Sequence, residues 1–501
     1  MTDIDPTKPT DPALRGISPT LSCLAVAALM ALTSPVHAQQ PLSASDWLSG
    51  SVRGPVRESS AWRPTPRPPS DSNSSPVAAT GSVSPVLVSR LADVDLDAAG
   101  IVTARKAGLP TGLWAGSDPT ELAALVLSTP ARLPAMSNLL TRILTAQLTP
   151  PTVTNAQQRG QLFLARADRL LDMGAVEPAG RLLLSAAPGD PEVFRRLFDI
   201  ALLTGEESRA CLKMDDTPGV APSFSARIYC LAQTGDWAAA AISLRGAETL
   251  GLLDAQQGLL LTHFLDDAFV DSGEHLAPSD RMTPLEFRVH EAIGQPLPTG
   301  NLPIAFAHSD LRLNNGWKAR IEAAERLARA NAIPATTLRQ IYAEQKPAAS
   351  GGVWERAGAM RTLEAAIASG DPLSALPRAF EEFRRNDMTH VLAAMVAADL
   401  PGDVQGEAGQ IAGWLRQWQG LPVRDPVEIP SDLRSGPLPA PSDRAAEALL
   451  SAMTDIDAGM DGAVTRAARG LATLRALGLR EDADLAAAQL ALLQQFRDAA
   501  Q

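Results

Sequence analysis

The sequence predicts an all-α protein, an irregular α-solenoid of helical hairpins carried behind a disordered N-terminal tether. Three observations predict it. Alanine occurs 85 times against 21 aromatic residues; alanine is the strongest helix former, whereas aromatics favour strands. From Pro119 onward short amphipathic stretches follow one another, each closed by Gly, Pro or a capping Asp. Ahead of them lies a Pro- and Ser-rich stretch that cannot bury enough surface to fold. Apolar residues at 45% and charged residues at 20% are globular values and exclude wholesale disorder. A net charge of −12 argues against broad nucleic-acid binding, which needs a basic stripe.

Residues 1–38 read as a signal peptide. Lys8 and Arg15 precede the apolar run Leu21–Leu32, Pro35 breaks it, and Val36-His37-Ala38 supplies a cleavage site before Gln39. The run is too short for a permanent membrane helix, and no later stretch is long and apolar enough for one. Cys23 sits near the start of that run, where a lipid-bearing cysteine would instead follow it. The expected location is therefore periplasmic, with no permanent membrane span after cleavage.

Residues 39–83 form the expected tether, including Trp62-Arg-Pro-Thr-Pro-Arg-Pro-Pro69 and Ser70-Asp-Ser-Asn-Ser-Ser-Pro76. Arg53, Arg57, Arg63 and Arg67 make it locally basic. Residues 84–420 make an irregular lead-in and then the helical solenoid. The lead-in has short strand signals at Val86-Leu-Val88 and Ile101-Val-Thr103.

The solenoid reading is clearest over 156–245. Helices are expected at Gln161–Leu171, from Glu177 through Leu184, and at Val193–Leu203, separated by Met173-Gly174 and Pro188-Gly-Asp-Pro191. Ala226–Thr234 then ends at Gly235, and Asp236 caps Trp237-Ala-Ala-Ala-Ala-Ile-Ser-Leu244. Helix, Gly, Asp, Ala-rich helix is the grammar of tetratricopeptide-like hairpins: small residues allow close crossing and Gly takes the left-handed turn. It recurs loosely at 317–341 and 354–379, unevenly enough to predict an irregular array. Residues 421–441 are a Pro-rich connection. Residues 442–501 read as a C-terminal helical cap, with helices at Ala445–Met453, Val464–Leu477 and Ala483–Arg497.

These segments resemble a family of secreted alphaproteobacterial proteins of unknown function, often labelled "antifreeze glycopeptide related". The resemblance rests on Gly108-Leu-Pro-Thr-Gly-Leu-Trp114, Phe198-Asp-Ile-Ala-Leu-Leu-Thr-Gly205 and Arg227-Ile-Tyr-Cys-Leu-Ala-Gln-Thr-Gly-Asp-Trp237, with Phe264-Leu-Asp266 and Leu474-Arg-Ala-Leu-Gly-Leu479. It implies a location and an architecture but no chemistry. The chain has no Ala-Ala-Thr repeat, so the label implies no ice binding here.

Cys211 and Cys230 remain after signal removal. An even count in an oxidising compartment, with a loop-rich segment between them, points to a disulfide; the alternative is two buried free thiols on neighbouring helices. His263, Asp267, Asp271 and His275 recur every four residues, but Ser272-Gly273 should break the helix and scatter them, so no metal is expected. Glu207-Ser208 resembles the glutamate-serine pair of soluble lytic transglycosylases, yet the Gly- and Gln-containing motifs that should follow are absent. Gly351-Gly352 lacks the Lys of a phosphate loop. No catalytic set and no cofactor are expected. Trp414 and Trp418 share a helix face: exposed, they anchor a partner; buried, they are large core residues. The reading is a non-enzymatic periplasmic protein-binding scaffold in an envelope or motility assembly, the alternative being a peptidoglycan enzyme of unrecognised type or its regulator.

Overall fold

Aspartate, serine and threonine side chains start six of the α-helices. Asp118 accepts from the Thr120 and Glu121 amides, Asp190 from Glu192 and Val193, Asp236 from Ala239 and Asp254 from Gln257. Ser223 caps likewise, and Thr283 with Glu286 forms a full capping box. The computed structural model describes residues 47–49, 95–153, 155, 158–186, 189–217, 219–266, 274–434, 436 and 443–498. All lie in one of two units, Ser43–Gln501; the other, Met1–Leu42, contains none of them. The expected signal peptide, most of the expected tether, Val86-Leu-Val88 and the end of the Pro-rich connection lie outside the described residues.

The described residues are mostly helical, with almost no strand. In the lead-in, β1 (Val102–Thr103) pairs in parallel with β2 (Ala146–Gln147), Val102 opposite Ala146. Between them come α1 (Ala104–Ala107), α2 (Pro119–Ser128) and α3 (Pro134–Thr145). A fully buried arginine ties this region down. Arg166 donates to the carbonyls of Leu144, Ala146 and Asp97, while the Asp97 carboxylate accepts from the Gly160 and Phe163 amides. Burial pushes the Arg166 guanidinium down to about 10, still charged at neutral pH.

Then come α4 (Gln161–Asp172), α5 (Val176–Leu184), α6 (Pro191–Thr204), α7 (Glu207–Asp216), α8 (Phe224–Gln233), α9 (Trp237–Thr249), α10 (Ala255–Leu265) and α11 (Pro284–Ala292). Each packs against the next, and α6 also touches α11. Gly205, at φ 82°, ends α6 in the left-handed conformation that glycine adopts freely. The second run is α12 (Ala307–Asp310), α13 (Trp317–Arg329), α14 (Ala335–Ala343), α15 (Val353–Ala368), α16 (Leu376–Arg384), α17 (Thr389–Val396) and α18 (Glu407–Trp418), again with successive neighbours in contact. No helix among the described residues is long and apolar enough to cross a membrane.

The chain ends in α19 (Ser431–Arg434), α20 (Ala445–Ala458), α21 (Val464–Ala476) and α22 (Arg480–Asp498). These helices touch both early and late parts of the run: α20 packs on α2, and α22 on both α3 and α18. Gln489 bridges the two directly. Its side chain accepts from the Ala135 amide and donates to the Trp418 carbonyl. Arg132 ties the same place, bonding Asp457 and Asp461.

One segment departs from the sequence reading. Trp47, Leu48 and Ser49 fall inside the stretch expected to be an unpacked tether, yet all three are buried in the helical body. A single indole hides roughly 150–250 Å², enough to dock a short segment whose surroundings are polar.

Candidate functional site

The docked segment defines a built groove. Trp47 is wholly buried and meets Phe306 edge-on at 5.5 Å; Phe306 in turn meets Phe287 of α11 edge-on at 5.5 Å. Ser49 is held through its amide, hydroxyl and carbonyl. Its amide and hydroxyl donate to the Asp199 carboxylate at 2.9 and 2.5 Å, and its carbonyl accepts from Arg195 at 2.5 Å. All of these partners come from one face of α6. Its neighbour Arg196 grips Asp168 of α4 through two bonds of 2.5 and 2.7 Å, which fixes α6 against α4.

Asp199 has no exposed surface, and burial pushes its carboxyl up to about 6. The two Ser49 bonds and the nearby Arg195 and Arg196 act in the opposite direction. At neutral pH the carboxylate is therefore ionised and accepts both Ser49 donors.

The groove continues beyond Ser49. A cavity of about 140 Å³ is lined by Ser49, Ser223, Ser225, Leu260 and Thr283. A second, of about 510 Å³, shares Leu260 and Glu286 with it and reaches Leu276, Pro278 and His290. Both run between α10 and α11. Three buried polar atoms along the track have no hydrogen-bond partner among the described residues: Trp47 Nε1, Ser225 Oγ and His290 Nδ1. Burial lowers the His290 pKa, so its ring is neutral. Apolar walls with a few spare donors and acceptors suit recognition of an extended chain.

The residues singled out from sequence are placed as follows. Cys211 of α7 and Cys230 of α8 lie at disulfide distance, with Cα atoms 5.0 Å apart. They sit in a small core with Phe194, Phe198 and Tyr229. Trp418 is buried and Trp414 half-buried; both rings face Phe496 of α22, at 5.2 and 6.4 Å. The exposed arrangement is therefore not the one observed: α22 covers the face that the two tryptophans share. His263 is buried in α10, which stops at Leu265; Asp267 and Asp271 lie outside the described residues. Glu207 opens α7 and forms an ion pair with Arg288 of α11, which also bonds Glu291. Among the described residues no group of three His, Cys, Asp or Glu could hold a metal.

The sequence reading missed Trp47, Ser49, Asp199 and Arg195. One signal was available: Trp47-Leu48 is an aromatic-aliphatic pair inside a stretch rich in Pro and Ser. Comparison of the whole chain with protein families, curated proteins and solved structures finds no match.

Proposed function

We propose that this chain is a non-enzymatic scaffold that binds extended protein segments in the periplasm. The observation that supports it is the capture of Trp47-Leu48-Ser49, a short segment from outside the helical run that is buried in a groove of that run. Its ring lies in an aromatic pocket and its Ser49 backbone groups bond two buried charges. Successive packing of α4 to α11 and of α12 to α18 supports an irregular solenoid of tetratricopeptide-like hairpins. Export through residues 1–38, with cleavage after Ala38, supplies the compartment and is consistent with the Cys211–Cys230 pair. Trp237, Ile242 and Leu250 are uncovered on and beside α9, apolar surface that a partner would bury.

The test uses the full chain carrying Trp47→Ala, which empties the aromatic pocket. A labelled peptide spanning residues 43–53 should bind this variant at least tenfold more tightly than it binds the natural sequence, whose own Trp47 competes. Equal binding to both, or none to the variant, removes the support for a peptide-binding groove.

A further inference from the structure

A separate cavity lies where the two ends of the helical run meet. It measures about 250 Å³ and is remote in sequence from the groove, lined from the start of α3, the ends of α13, α16 and α18, the start of α17, and α22. Its apolar wall is Leu133, Leu493 and the paired rings of Trp418 and Phe496. Trp418 is almost wholly buried, and its indole N–H has no acceptor among the described residues.

The charged lining is of both signs. Arg132 is engaged by Asp457 and Asp461. Arg329 has a single long contact to Glu325 at 3.4 Å, and Arg384 bonds Glu381 through Nε and Nη2. A guanidinium carries five N–H donors, so both retain several. Asp387 forms no ion pair or side-chain hydrogen bond among the described residues. It stands at φ 54°, one of two non-glycine residues there with positive φ. The positive φ belongs to the left-handed turn that closes α16, where the Asp387 amide donates to the Arg384 carbonyl and the Met388 amide to the Phe383 carbonyl. His390 places Nε2 on the Arg329 carbonyl at 3.2 Å, and burial keeps its ring neutral, which leaves Nδ1 as an acceptor.

A simple anion would satisfy the arginines but meet the Asp387 carboxylate. A simple amine would satisfy Asp387 but face two guanidiniums. A ligand with adjacent carboxylate and ammonium groups uses both, and the apolar wall takes a side chain. The volume suits a single residue rather than an extended peptide.

We propose that this cavity binds a free α-amino acid with an apolar side chain. Its carboxylate lies on Arg329 and Arg384, its ammonium on Asp387, and its side chain against Trp418 and Phe496.

Titration calorimetry of the full chain with L-phenylalanine, 3-phenylpropanoate and phenethylamine tests this. L-phenylalanine should bind with a Kd below about 1 mM, and each single-charge analogue at least tenfold more weakly. Asp387→Asn, at an exposed position, should abolish that preference over 3-phenylpropanoate. Arg329→Met should weaken L-phenylalanine and 3-phenylpropanoate alike. Absence of binding by the natural protein, equal affinity for the amino acid and the acid, or a preference unchanged in Asp387→Asn would each overturn the proposal.

Discussion

Asp199 shows how one buried group couples a docked segment to pH. Its folded pKa of about 6 stands above the ordinary value of 3.8 because burial favours the neutral carboxyl. A raised carboxyl contributes stability that is fully present below about pH 4 and lost as pH rises through about 6. Asparagine at 199 cannot titrate. The stability of the natural protein relative to Asp199→Asn should therefore fall between about pH 4 and 7, by up to about 3 kcal/mol. Urea unfolding of both proteins across that range measures it, and parallel curves would refute it. The docking behind this effect was not legible in the sequence. A composition average over residues 39–83 hides one Trp-Leu pair, and nothing local announces that Asp199 lies beneath it. Glycines give a second contrast at this scale. A Cβ at Gly246, inside α9, meets nothing within 4 Å, whereas one at Gly470, inside α21, would lie 2.5 Å from the Ala452 carbonyl. Gly246→Ala should stabilise by about 0.5–1 kcal/mol. Gly470→Ala should destabilise by about 1–3 kcal/mol as α20 and α21 are forced apart. Thermal denaturation of the pair separates the two, and shifts of the same sign would contradict this reading.

Helices were the legible level. Asp236 marked the start of α9 and Gly235 the end of α8, because caps act within a few residues and leave a local trace. The C-terminal helices expected at Ala445, Val464 and Ala483 begin at Ala445, Val464 and Arg480. The lead-in was legible only in part: Ile101-Val-Thr103 contains β1, but its partner Ala146-Gln147 carries no strand signal, since Arg166 holds that backbone from a later helix. The α7–α8 hairpin carries the prediction proper to this scale. Cys211 and Cys230 stand 19 residues apart, and a cross-link of that span stabilises by roughly 3 kcal/mol on the chain-entropy estimate. Replacing both by Ala should lower unfolding stability by about that amount under non-reducing conditions. A change below about 1 kcal/mol would mean that the hairpin is held by its core alone.

At the scale of the whole described unit, the feature that sequence could not show is the joining of early and late helices. Hairpin grammar reports on neighbours, whereas α22 meets α3 and α18 through residues far apart in the chain. Trp414 and Trp418 illustrate the limit: their shared face was legible, but not that Phe496 would cover it. Gln489 is 2% exposed and satisfies the Ala135 amide and the Trp418 carbonyl together. Gln489→Leu leaves both unmet and should cost roughly 2–4 kcal/mol. A midpoint in urea indistinguishable from the natural protein would show that the junction does not depend on this bridge.

The junction also sets a clock. Ala135 and Gln489 are 354 residues apart. At a synthesis rate of about 5–20 residues per second, the early helices wait roughly 20–70 s for the partners that complete their core. Contacts so distant in sequence also slow folding, because the intervening chain must be closed before they form. During that interval the apolar faces of α2 and α3 are open to other chains. Refolding yield should therefore fall as protein concentration rises, more steeply than for an array whose units close on their immediate neighbours.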